Sequence, residues 1–141
     1  MICDYENACN YFEKALVFPL DYELAYVQAL IISYGYCLIS TQQYTKALQL
    51  SKFYPFLSSS ADFVYLMGLI YFENKQYENA LDEFEKAMTF DYAARSGSNT
   101  YLPAFYIGQI LLLIGETETA KKYFSLCGDY TPAKEALSKI L

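Results

Sequence analysis

The chain has 141 residues, 55% hydrophobic and 18% charged, with 16 acidic against 10 basic side chains and a net charge of −6. Such a composition buries a core as one globular unit and excludes the disordered class. Its lysines and single arginine are scattered, which argues against a nucleic-acid partner, and the absence of histidine removes the usual general base and the commonest metal ligand together.

The first predicted element is a helix within residues 4–18, where Y-E-N-A-C-N-Y-F-E-K-A-L sets Tyr5, Ala8, Cys9, Phe12 and Ala15 on one apolar stripe. Residues 21–57 follow, with Asp21 as the expected N-cap and Pro55 closing the unit. Within them, Leu24 to Thr45 is a stretch of 22 residues without a formal charge, long enough to span a bilayer. Gln28, Ser33, Ser40, Thr41, Gln42 and Gln43 interrupt it, and a helix buried on most sides of a helical protein has the same pattern, so no membrane span is expected.

Residues 61–91 carry two periodic apolar segments, Phe63 to Asn74 and Tyr77 to Phe90, with Ser60 as N-cap of the first. Residues 92–100 are an inserted loop within D-Y-A-A-R-S-G-S-N-T, which holds the only arginine and lacks phosphate-loop spacing, so a solvated insertion is expected. Residues 101–128 form another pair, with Pro103 tolerated in a first turn and Gly115 and Gly128 ending helices. The last element, 131–141, sets Lys134, Glu135 and Lys139 on one side and Ala136, Leu137 and Ile140 on the other, which suits a helix covering the end of a stack.

Self-similarity orders these elements. Residues 77–88, Y-E-N-A-L-D-E-F-E-K-A-M, match residues 5–16 at eight of twelve positions. Ala8, Ala47, Ala80 and Ala120 recur at spacings of 39, 33 and 40, which leaves a unit of about 34 once insertions are removed. Phe12, Phe84 and Phe124 follow four residues later, and Gly35, Gly68 and Gly108 precede by twelve. Small residues at fixed offsets mark places where helices cross closely, and a larger side chain there would force them apart.

This pattern resembles the tetratricopeptide repeat. The matching residues of the best unit are Met67, Gly68, Tyr71, Tyr77, Ala80, Phe84 and Ala87; the last unit offers Ile107, Gly108, Gly115, Ala120, Phe124 and Pro132, departing at Leu111 and Cys127. The second unit keeps Tyr34, Gly35, Tyr44 and Ala47 but has Ser51 in place of the aromatic. The resemblance implies an all-α fold of about eight helices, with antiparallel helix-turn-helix repeats stacked in a right-handed superhelix, and 4–18 as a half repeat holding a second helix only. It further implies a concave groove lined by Tyr36, Ile39, Tyr65, Leu69, Phe72, Phe105, Gln109 and Leu112. The carboxylate-clamp members of the family use lysine, arginine and asparagine at such positions, and none stands there in this chain.

No nucleophile elbow, phosphate loop or histidine is present, so catalysis, cofactors and metal sites are not expected. Cys3, Cys9, Cys37 and Cys127 form no C-x-x-C pair and read as small hydrophobes, consistent with a reducing, cytoplasmic setting. The expected partner is a protein, a peptide, or a neighbouring domain of a parent protein. Residues 100–116 and 120–137 resemble the C-terminal repeats of bacterial family 2 glycosyltransferases, which would place a catalytic domain upstream. The rival reading is a free-standing scaffold that homodimerises through a docking edge at Tyr5, Cys9 and Phe12, where the half repeat lacks its first helix.

Overall fold

The computed structural model describes residues 5–17 and 20–141, without the side chain of Tyr5. Residues 4 and 18, the expected bounds of the half repeat, lie outside that description. Eight helical segments follow one another among the described residues. They are α1 (Tyr5–Leu16), α2 (Ala25–Ser40), α3, α4 (Ala61–Glu73), α5 (Tyr77–Ala87), α6 (Tyr101–Leu113), α7 (Thr117–Leu126) and α8 (Thr131–Ile140). Segment α3 runs over 44–57 as Tyr44–Ala47, a 3-10 stretch Leu48–Phe53, and Tyr54–Leu57.

The charge-free stretch is cut by a turn after Ser40, and none of the helices among the described residues is long and apolar enough to cross a membrane. That turn belongs to a device used three times. Gln42, Lys75 and Gly115 each take a positive φ, of 60, 60 and 86 degrees, five residues before the repeat alanine. At each, the residue's N–H and the next one bond back across the helix end: Gln42 and Gln43 to Ile39 and Leu38, Lys75 and Gln76 to Phe72 and Tyr71, Gly115 and Glu116 to Leu112 and Leu111. This is the Schellman closure, which satisfies the orphan carbonyls of the first helix and reverses the chain into the second. Asp21 does not cap α2; Leu24 holds that position, and an Asp21 carboxylate oxygen accepts from the Glu23 N–H instead. Ser60 does cap α4, accepting from the Phe63 N–H at 3.3 Å.

Helix α1 packs on α2, α4 on α5, α5 on α6, and α6 on α7, with α8 closing against α7. The crossings are as tight as the recurrent glycines require. A Cβ on Gly68 would lie 2.6 Å from the Phe84 ring, and one on Gly108 would lie 2.6 Å from the Phe124 ring. Where Ser51 replaces the aromatic, the space beside Gly35 is filled by Leu66 from the next pair and by Leu50, which would stand 2.4 and 3.0 Å from a Cβ there. The apolar interior runs on through Ile31, Leu38, Phe63 and Met67, then Val64, Phe84 and Ile107, then Ala104, Phe124 and Ala133, so each group bridges neighbouring pairs.

Candidate docking surface

The first helices of the pairs place the expected groove residues in two separate settings. Tyr36 and Ile39 of α2 and Phe72 of α4 are half-buried and gather beside α6. Tyr65 and Leu69, expected to line the groove, are only 4% and 8% exposed and belong to the packed interior. The reason is Tyr106 of α6, which lies edge-on to Phe72 at 5.1 Å, stacks on Phe84 at 5.4 Å and meets Tyr65 at 6.3 Å. Phe105, Gln109 and Leu112 line a 430 Å³ groove against α8 with Pro132, Ala136 and Ile140, and the Phe105 ring also meets Tyr106 edge-on at 5.3 Å. Phe105 meets Tyr130 edge-on at 5.5 Å there. Of the eight residues, Tyr65 and Leu69 are thus buried, and the other six are half-buried along α2, α4 and α6.

The insertion is solvated along most of its length, with Asp91, Tyr92, Ala94, Arg95 and Ser96 exposed, and it is also tethered to α4. Both oxygens of Asp62, a side chain 5% exposed in the first turn of α4, accept from the backbone N–H groups of Ala94 and Arg95, at 2.7 and 2.9 Å. A buried carboxylate demands such partners, and these N–H groups supply them. The amide of Asn99 donates to the Phe90 carbonyl at 2.8 Å, and Gly97, at φ 89 degrees, leaves no room for a side chain against Tyr101. So tethered, the loop lays the Arg95 guanidinium 4.2 Å from the centre of the Tyr36 ring. Burial pushes the Tyr36 phenol up to about 12, with the nearby guanidinium pulling the other way. Burial drives the Tyr65 phenol upward as well. Both remain neutral near pH 7.

Between α2, the start of α4 and the insertion lies a cavity of 390 Å³, lined by Ala25, Ala29, Ser33, Ser60, Tyr92 and Arg95 among others. Sequence reasoning missed Tyr106, Asp62 and Arg95. A tyrosine two residues before Gly108 was a visible signal for the first, whereas Asp62 and Arg95 meet across 33 positions with no motif linking them.

At the expected docking edge, Cys9 is buried against α2, and Phe12 is half-buried with its ring 6.3 Å from Tyr34; Tyr5 falls outside the described side chains. Cys9 thus serves the interior, because α2 covers that side of α1. Ala8, Phe12 and Ala15 are half-buried where their counterparts Ala80, Phe84 and Ala87 are fully buried, and the outward side of α1 shows Tyr11, 74% exposed. Below, Glu13 accepts hydrogen bonds from Lys46 and from the Tyr34 hydroxyl, which hold its carboxyl below the usual range.

Among the described residues no group of three His, Cys, Asp or Glu side chains is placed to hold a metal ion. Cys9, Cys37 and Cys127 are buried, and burial pushes the Cys127 thiol up to about 11.

Among known protein families, the one described as anaphase-promoting complex, cyclosome, subunit 3, is matched by residues 1–87, a span that ends with α5. No curated protein and no solved structure matches the chain.

Proposed function

The chain belongs to the anaphase-promoting complex, cyclosome, subunit 3 family and is built of tetratricopeptide-type repeats, a protein-interaction architecture, and from that premise we propose that it is a non-catalytic module that docks a protein partner. The observation that carries the reading is the half-buried aromatic group of Tyr36, Phe72 and Tyr106, set beside the 390 Å³ cavity and the stacked Arg95. Aromatic and arginine side chains held rigidly next to a concavity are the groups that anchor partners at interfaces. The partner segment lies across α2, α4 and α6, with its apolar side chains against these rings. A photo-crosslinking residue at Phe72, compared with one at Tyr11, tests it. Cross-links to a defined polypeptide that form from position 72 and not from 11 support docking at this face, whereas cross-links from 11 alone overturn it.

A second reading rests on α1. The half-buried Ala8, Phe12 and Ala15, against their fully buried counterparts in α5, favour a homodimer closed through this helix. Sedimentation equilibrium decides it, since a monomer at all concentrations removes that reading. If the likeness to glycosyltransferase tails holds, the same docking face would position an acceptor for a catalytic domain upstream. The coding sequence ahead of Met1 tests that extension directly.

A further inference from the structure

Resting on the docking reading, we propose that the cavity between α2, α4 and the insertion recognises an acidic segment of a protein partner, taking an apolar side chain inside and the adjacent carboxylate on Arg95. At 390 Å³ the cavity falls within the size range of ligand-holding clefts. Its α2 wall carries the short side chains of Ala25, Ala29 and Ser33, beside Ile32, which is buried, and Gln28, whose amide donates to the Tyr22 carbonyl.

The charge beside it is of one usable sign. Arg95 and Asp62 are the charged residues lining the cavity, and Asp62 directs both carboxylate oxygens at the Ala94 and Arg95 N–H groups. Arg95 takes part in none of the ion pairs among the described residues, which join Lys46 to Glu13, Lys121 to Glu118 and Lys134 to Asp129. The Arg95 guanidinium lies over the Tyr36 ring, and its planar fork of N–H donors is the geometry that pairs with a carboxylate through two parallel bonds.

Two tethers hold this cation in place: the backbone clamp on Asp62 and the ring of Tyr36. It is therefore presented at low entropic cost, as a preorganised contact rather than a flexible side chain. The helices themselves carry no basic residue at the groove positions, so the insertion provides what the repeats lack. In a chain of net charge −6, a local cation also sets where along the face an acidic segment settles.

The test is a displayed library of random twelve-residue peptides, selected on the full chain and rebound to variants whose helical spectrum and melting match the parent. Enriched peptides carrying Asp or Glu beside an aliphatic residue support the proposal if Arg95→Gln weakens them by roughly tenfold or more. Ala29→Leu, which fills the cavity, should weaken them too, Arg95→Lys less than Arg95→Gln, and added salt should reduce binding. Peptides indifferent to Arg95→Gln and Ala29→Leu but lost on Phe72→Ala overturn this pocket and leave docking on the aromatic face standing. Peptides indifferent to all three variants overturn both readings, and an absence of enriched peptides overturns the pocket alone, the face being judged by the cross-links.

Discussion

Substituting Gly68 by alanine tests one of the close helix crossings in the fold. The added Cβ would lie 2.6 Å from both Cδ1 and Cε1 of Phe84 and 3.1 Å from Cζ. Carbon atoms in contact prefer roughly 3.5–4.0 Å, so the ring has to retreat by about 1 Å. It has nowhere to go, because Phe84 is fully buried, stacked on Tyr106 at 5.4 Å and tilted against Tyr65 at 5.8 Å. Overpacking of this kind costs about 1–3 kcal/mol, while replacing an interior helical glycine by alanine returns about 1 kcal/mol. The net expectation is a loss of up to about 2 kcal/mol, or a melting temperature lower by up to roughly 6 °C. Urea unfolding followed by circular dichroism measures it, together with Phe84→Leu and the double variant. Trimming the ring should cost less when the Gly68→Ala change is already present, so the pair should couple favourably. A Gly68→Ala protein more stable than the parent, or one additive with Phe84→Leu, would refute both the tight crossing and the register built on it.

Asp62→Asn weakens the clamp on the insertion. Hydrogen bonds to a charged group contribute about 1.5–3 kcal/mol, so amide exchange at Ala94 and Arg95 should quicken by roughly 100-fold, and unchanged exchange would contradict the tether. Tyr36 keeps its proton up to about 12 in the folded chain against 10.0 ordinarily, so the stability tied to it is present below pH 10 and is lost as pH rises through about 12. Alkaline melts of Tyr36→Phe should fall less steeply over that window; identical slopes would count against it. With its thiol pushed up to about 11 by burial, Cys127 should resist alkylation at neutral pH until urea is added, and rapid labelling of the native chain would contradict its placement.

The pairing of helices was legible because its causes are local and repeated. Glycine and alanine recur at fixed offsets wherever backbones approach, and the 3.6-residue period of the apolar positions marks each inner face. The reversals were less so. Gly115 announces a left-handed residue, but Gln42 and Lys75 adopt the same conformation without glycine, held there by the two Schellman bonds. Ser60 was read correctly as a cap, and Asp21 was not, since a short polar side chain can serve its own turn as readily as a helix.

By itself, the order of residues determined an all-helical stack, its repeat length and the crossings at Gly68 and Gly108, all consequences of side-chain size and periodicity along one chain segment. The resemblance to the repeat family also set Tyr36 and Phe72 among the groove-facing positions. Tertiary structure decided which of those faces stayed open. Tyr106 closes over Tyr65, α8 takes Phe105 and Leu112, and Asp62 draws the insertion in until Arg95 rests on Tyr36. Each of those outcomes depends on groups far apart in the chain whose desolvation is settled only when they meet, so no local pattern announces them.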